Sequence, residues 1–265
     1  MIIIGELING TREPVGKAII SQDEDAIADL ATRQADAGAD FIDCNVGMVG
    51  AAEAEQMDWL VRVVADAVEV PPCIDTANPD AMRAGLDAWE GDARPICNSI
   101  TLEKERLESF LPIVAEREVR VVALAMTDDG VPKGVEGRVD AALRLVEALA
   151  DADVAEEDIF IDPVVTPLSV DPEGARLASD AIRRISTELP DCHTVCGVSN
   201  VSYGLPRRTL LNRVFLSQAI ISGLDSAILD PLDQGIMSSM YAAEALAGRD
   251  EWCAGYLAAY RRGVL

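Results

Sequence analysis

The sequence is poor in the residues on which several common kinds of site depend. Its 265 residues include one histidine, His193, and only three lysines. Its six cysteines contain no CxxC pair, so neither a zinc framework nor an iron–sulfur cluster is indicated. A histidine-based metal site and a lysine Schiff base therefore have few candidates. We predict reduced cysteines, a structural role for His193, and no bound metal.

Positive charge is scarce as well. The 46 acidic and 22 basic residues give a formal net charge of −24. No basic stripe is available to neutralise phosphates, which argues against nucleic acid and against an anionic membrane surface as partners. The chain has no apolar run long enough to span a membrane. The start, MIIIGELING, lacks the basic region of a signal peptide and predicts a first strand, so we expect a cytoplasmic protein.

Apolar runs and amphipathic segments alternate along the whole chain. DEDAIADLATRQADAG, for example, has helical spacing and ends at Gly38. Eight such units predict a (β/α)8 barrel, with residues 1–265 as one domain. A doubly wound open sheet is the alternative, but no glycine-rich dinucleotide fingerprint follows the first strand. The eight predicted strands are Ile2–Ile4, Phe41–Cys44, Cys73–Ile74, Pro95–Cys97, Val119–Ala125, Ile159–Ile161, Thr194–Cys196 and Ala227–Leu229.

Polar residues follow nearly every predicted strand, at the end of a barrel where active sites lie. In chain order they are Glu6, Asn9, Asp43, Asn45, Asp75, Asn98, Thr127, Asp162, Ser199, Asn200 and Asp230. Any single Asp or Asn at such a point could instead cap a helix. A ring of carboxylates and amides suits a flat heterocycle with alternating donors and acceptors, such as a pterin, and it would also suit a sugar.

Seven stretches carry a resemblance to a known family. They are IIIGELINGTR, GADFIDCNVG, CIDTANP, CNSI, IDPVVTPLS, GVSNVSYGLPRRTLLNRVFL and GLDSAILDP. In this order they resemble the methyltetrahydrofolate:corrinoid protein methyltransferases of the pterin-binding barrel superfamily. The last two stretches are the most specific. The resemblance covers nearly the whole chain and implies the same barrel.

The resemblance also implies a set of site residues. Asp75, Asn98 and Asp162 match the positions that hold the pterin. Asn200 matches the asparagine beside N5, the nitrogen that carries the methyl group, and is the implied catalytic residue. The other implied contacts are Gly197 and Ser199 along the same wall, and Tyr203, Arg207 and Arg208 toward the tail of the substrate or the partner.

The same resemblance implies tetrahydrofolate or methyltetrahydrofolate as substrate and a corrinoid (cobalamin) on a separate protein, because the chain lacks a cobalamin-binding DxHxxG stretch. It further implies a homodimer and a place in one-carbon metabolism, for which we favour a demethylating system. Tetrahydromethanopterin as substrate and the direction of transfer stay open. Two alternatives remain: a dihydropteroate synthase-like enzyme, and a non-catalytic pterin-binding subunit of a corrinoid complex.

Overall fold

The computed structural model describes residues 1–47 and 52–265 and shows a barrel of eight parallel strands. Each strand from β1 to β6 pairs with the next, and β1 also pairs with β8. A parallel bridge between Gly197 and Ile228, with Ile228 N donating to Cys196 O, joins the end of β7 to β8. The strands are β1 (Ile2–Gly5), β2 (Phe41–Cys44), β3 (Pro72–Asp75), β4 (Ile96–Ile100), β5 (Arg120–Leu124), β6 (Ile159–Asp162), β7 (His193–Thr194) and β8 (Ser226–Leu229).

Ten α-helices are assigned in the described part of the chain, and most follow the amphipathic segments of the sequence. In α2, Asp23 caps the first turn by accepting from Ala26 N at 3.1 Å, and Gly38 follows the last turn with a φ of +99°. The helices are α1 (Glu13–Ser21), α2 (Glu24–Asp36), α3 (Glu53–Ala67), α4 (Pro79–Ala88), α5 (Lys104–Ala115), α6 (Gly134–Ala150), α7 (Gly174–Glu188), α8 (Arg208–Ser222), α9 (Gln234–Leu246) and α10 (Ala254–Arg261).

The barrel interior consists of two layers that arise from the two-residue period of a strand. The lower layer is an apolar cluster made of Ile4, Phe41, Cys73, Ile96, Val122, Phe160 and Val195, with Ile2 and Ile228 packed against it. Two residues further along each strand, the same inward face carries Glu6, Asp43, Asp75, Asn98, Leu124, Asp162, Gly197 and Asp230. Six of these eight positions are carboxylates or an amide. The polar ring therefore sits directly on a dry apolar floor.

The predicted (β/α)8 barrel is confirmed, and the strand bounds differ by only a few residues. The largest difference is in β4, which covers Ile96–Ile100 where the sequence predicted Pro95–Cys97. His193 lies at the entry of β7, where its Nδ1 pairs with Asp225 Oδ2 at 2.7 Å and its ring stacks on Phe160. All six cysteines are free, and five of them are buried. Among the described helices, none is long and apolar enough to cross a membrane.

Candidate active site

The ring at the mouth of the barrel brings together three of the predicted pterin contacts. Asp75 ends β3, Asn98 lies on β4 directly opposite it in register, and Asp162 ends β6. The pairing of β4 with β5 shifts register between Asn98 and Ile100, an irregularity of the kind that re-aims side chains near active sites. None of the three residues caps a helix through its side chain. In the part of the chain that the structure describes, such caps come from Asp23, Asn78 and Asp233.

Asp43, one of the polar residues that follow the predicted strands, is a fourth member of this wall, although it is not among the predicted pterin contacts. It lies beside Asp75, the Cys73 thiol and the Asn98 amide. Burial and the charge of Asp75 raise the pKa of Asp43 well above its usual range. Its Oδ1 is buried without a hydrogen-bond partner within the described residues. The two-residue period from Phe41, which faces the interior, was the sequence signal that could have placed it in this wall.

Asp75 and Asp162 share this effect of burial. Burial raises the pKa of Asp75, while the amide of Asn45, which donates to Oδ2 at 2.7 Å, and the charge of Arg106 act to lower it. Burial raises the pKa of Asp162 to about 7, against the opposing effects of the Val164 N–H and Arg138. A carboxyl with such a pKa is partly protonated at neutral pH and can then donate as well as accept a hydrogen bond.

Two arginines, which nothing in the sequence had singled out, support the backbone behind these carboxylates. Arg106 donates to the carbonyls of Ser99 and Thr76 at 2.9 and 3.0 Å, where β4 and β3 end. Arg138 is 2% exposed and donates to the carbonyl of Val164 at 2.6 Å. Both are held by contacts with residues distant in the chain, which spacing along the sequence does not indicate.

Val164 shows how tightly one part of this wall is held. Its φ of +65° is uncommon for a β-branched residue. The Val164 N–H donates to Asp162 Oδ1 at 2.7 Å, and its carbonyl accepts from Arg138. The conformation is therefore fixed from both sides by residues of the site, so Asp162 and the segment that follows it form one unit.

The segment after β7, the strand next to β6, carries Asn200. It lies in a 3₁₀ turn, Val198–Ser202, and its side chain is exposed. The turn leaves little room: a Cβ added at Gly197 would lie 2.9 Å from Asn200 Nδ2. Only glycine at position 197 lets the amide occupy this position without displacement. A cavity of about 190 Å³ adjoins the turn, lined among others by Glu6, Ser199 and Asp230.

The remaining predicted contacts divide into two kinds. Tyr203 is 66% exposed, and Arg207 is exposed, just before α8. Arg208 is exposed as well, but its guanidinium bonds back to the protein. Its Nη2 donates to the carbonyl of Ser199 at 2.7 Å. Of the three residues, Arg208 is thus the one whose side chain hydrogen-bonds to the turn of Asn200.

The arrangement can be compared with known proteins. A family model described as "Pterin binding enzyme" matches residues 5–230. The methylcorrinoid:tetrahydrofolate methyltransferase of Eubacterium limosum is 35% identical over 267 aligned positions, which cover all of this chain and 98% of that protein. The chain belongs to the pterin-binding enzyme family. The second match places this pterin-binding enzyme with the methyltransferases of that family, which confirms the resemblance found in the sequence.

Further matches have lower sequence identity or concern the fold alone. The methionine synthase of Mycobacterium tuberculosis is 30% identical over 242 residues. The match covers 86% of this chain and 20% of the methionine synthase. Dihydropteroate synthases from Yersinia pestis and Xanthomonas albilineans superpose with TM-scores of 0.66 and 0.65 at 15% and 17% identity. They cover 93% and 92% of this chain, and 94% and 92% of their own. At such identity they show the shared fold alone.

Proposed function

We propose that this enzyme moves a methyl group between N5 of tetrahydrofolate and the cobalt of a corrinoid carried by a separate protein. The observation that carries the proposal is the full-length similarity to a methylcorrinoid:tetrahydrofolate methyltransferase. The composition of the barrel mouth supports it. Six of the eight positions of the polar ring are carboxylates or an amide, and none of the eight is lysine or histidine. We further propose transfer onto tetrahydrofolate, within a demethylating system.

Asp75, Asn98 and Asp162 are the proposed pterin contacts. A pterin presents an amino group and ring N–H donors along one edge and acceptors beside them. Carboxylate oxygens accept from those donors, and the Asn98 amide can pair with a donor and an acceptor at once. The buried apolar floor beneath the ring lowers the local dielectric constant, which strengthens these hydrogen bonds. Gly197 and Ser199 form the wall that the flat ring approaches.

Asn200 is the proposed catalytic residue. When N5 is methylated, its lone pair forms the new N–C bond, the carbon–cobalt bond breaks with its electron pair left on cobalt, and N5 loses a proton. Positive charge therefore develops on N5–H in the transition state. The amide oxygen of Asn200 accepts from that N–H and binds it more strongly as the charge grows, which lowers the barrier. The same contact acts in reverse when the methyl group leaves N5.

The proposal predicts methyl transfer with purified protein. Methylcobalamin and tetrahydrofolate should yield cob(I)alamin and methyltetrahydrofolate under anaerobic conditions, followed by the spectral change of the corrinoid and by product analysis. Cob(I)alamin with methyltetrahydrofolate should give the reverse reaction. Tetrahydrofolate binding without transfer in either direction would instead identify a non-catalytic pterin-binding subunit. Condensation of a pterin pyrophosphate with p-aminobenzoate would identify a dihydropteroate synthase.

We also propose that the enzyme forms a homodimer and works in the cytoplasm, where its six free cysteines stay reduced. One face of α8 supports the dimer: Leu210, Val214 and Ile221 share it and are 53%, 61% and 54% exposed. The helix also has no acidic residue in a chain of charge −24. Two copies would meet there with less repulsion than elsewhere on their surfaces.

Val214→Glu should therefore convert the dimer into a monomer, because it places a charge in the apolar face of both subunits. Sedimentation velocity on wild type and variant measures the change. Leu143→Glu is the matched control, since Leu143 is 41% exposed on α6, a helix that packs against α7, and should leave the dimer intact. A wild-type protein that sediments as a monomer at tens of micromolar would refute the dimer.

A further inference from the structure

Arg208 makes two hydrogen bonds that fix the turn of Asn200 from the α8 side. Its Nη2 donates to the Ser199 carbonyl at 2.7 Å and its Nε donates to Ser202 Oγ at 3.0 Å. The Ser202 hydroxyl in turn donates to the Ser199 carbonyl at 3.3 Å, closing a small network. The guanidinium thus holds the residue before Asn200 and the residue that ends the turn.

Glu6 fixes the same turn from the opposite direction. It follows β1, and its Oε2 accepts from Ser199 Oγ at 3.0 Å across 193 positions of sequence. Its other oxygen accepts from Arg12 Nη2 at 2.8 Å. The Glu6 side chain is 13% exposed, so this carboxylate is held within the mouth of the barrel. Ser199 is therefore anchored through its side chain to β1 and through its backbone to α8.

The Asn200 side chain, by comparison, makes no hydrogen bond to other described residues, although its backbone N–H donates to Gly197 O at 3.2 Å. Its position depends on the conformation of the turn and on the close contact with Gly197. A catalytic group that must align with one atom of the substrate loses much of its effect on the rate when it is displaced by about 1 Å. The anchors of the turn consequently determine where the amide sits.

We propose that Arg208 and Glu6 are positioning residues for methyl transfer, which hold the Val198–Ser202 turn so that the Asn200 amide meets N5. The proposal rests on the function proposed above and assigns Arg208 a role different from contact with the substrate tail. A contact between Arg208 and the substrate tail would change the affinity for the substrate. A positioning role changes the rate of methyl transfer, and this effect should be the same for substrates with and without the tail.

Arg208→Lys tests this directly, because lysine keeps the charge but cannot reach both acceptors in the geometry of a guanidinium. We expect kcat to fall about 10- to 100-fold, with the Kd for tetrahydrofolate within threefold of wild type by calorimetry. The same loss of kcat should appear with a tetrahydropterin that lacks the aminobenzoyl-glutamate tail. Arg144→Lys, at an exposed ion pair on α6, is the matched control and should transfer methyl normally.

Arg208→Ala provides a second readout that a general loss of folding would not produce. Ethylguanidinium added to this variant should restore part of kcat by occupying the vacated position, whereas ethylammonium should not. A normal kcat in Arg208→Lys, or a loss seen only with the tailed substrate and matched by weaker binding, would overturn the proposal. A wild-type enzyme without methyl transfer would instead refute the proposed function.

The Glu6 anchor is tested by comparing two substitutions. Glu6→Gln keeps an oxygen that accepts from Ser199, so it should retain more of kcat than Glu6→Ala. Because the two groups act through one hydrogen bond, Glu6→Ala with Ser199→Ala should be no slower than the slower single variant. Fully multiplicative losses in the double variant would show that Glu6 does not act through Ser199.

Discussion

Asp162→Asn is expected to stabilise the ligand-free enzyme at pH 8 while weakening its binding of tetrahydrofolate. The reason for the gain is that burial raises the pKa of this carboxyl to about 7, from an ordinary value of 3.8. At pH 8 the wild-type protein must keep a buried negative charge, which asparagine replaces with a neutral amide. Asparagine retains the oxygen that accepts from Val164 N–H.

The gain in stability of Asp162→Asn over wild type should increase as the pH rises. Below about pH 4 the carboxyl is protonated in both the folded and the unfolded chain, so substitution changes little. Between pH 4 and 7 the unfolded chain releases the proton and the folded protein keeps it, so wild-type stability falls as the pH rises. Above pH 7 the difference is constant. At about 1.4 kcal/mol per pKa unit, a rise from 3.8 to about 7 corresponds to a difference on the order of 4 kcal/mol.

Urea unfolding of both proteins from pH 4.5 to 8.5 measures this difference. Asp140→Asn, at an exposed position on α6, is the control and should stay within about 0.5 kcal/mol of wild type. Calorimetry should show tetrahydrofolate binding weakened by about 10- to 100-fold in Asp162→Asn, since the amide removes a charged acceptor. A gain over wild type that is no larger at pH 8 than at pH 4.5 would contradict the burial of the charge. Unchanged affinity in both Asp162→Asn and Asp75→Asn would mean that the pterin binds elsewhere.

Asn200→Ala is expected to have the opposite signature, with a large loss of rate and little change in binding. Removing one well-placed group that stabilises a developing charge costs about 3–4 kcal/mol of transition-state binding, or roughly 10²- to 10³-fold in kcat. The affinity for tetrahydrofolate should stay within several-fold, because the ring is held by Asp75, Asn98 and Asp162.

Single-turnover transfer from methylcobalamin, monitored spectroscopically, separates this loss from effects on product release. Asn200→Asp is the informative companion, since it keeps an oxygen that can accept from N5–H at the same position. It should therefore transfer methyl faster than Asn200→Ala. Near-normal turnover in Asn200→Ala would exclude the proposed role, and equal rates for the two variants would show that the amide oxygen is not the acting atom.

Much of the barrel mouth could be foreseen from strand periodicity. Inward positions repeat every two residues, so the polar residue two positions after an inward apolar residue must lie one layer higher. This rule places Asp75 above Cys73 and Asp162 above Phe160. Asp43, above Phe41, follows from the same rule, although the family resemblance implies no pterin contact at this position.

The supporting residues could not be foreseen in this way. Arg106, Arg138 and Arg208 lie in or at the start of helices whose sequences are ordinary for an exposed amphipathic segment. Their partners are carbonyls and hydroxyls at strand ends, and only the packing of each helix onto the barrel brings the guanidinium to them. Because this packing is not visible in the sequence, the sequence indicates for Arg208 only a contact with the substrate tail or the partner.

The sequence by itself determined the alternation of strands and helices, the polar ring and the family, because these depend on local periodicity and on motifs read in order. The tertiary structure decided which of the polar groups share one environment and how each is charged. Ser199 reaches Glu6 only when β7 closes onto β8 and β1. The pKa of Asp162 rises only when the ring is buried, since the cost of a charge depends on all that surrounds it.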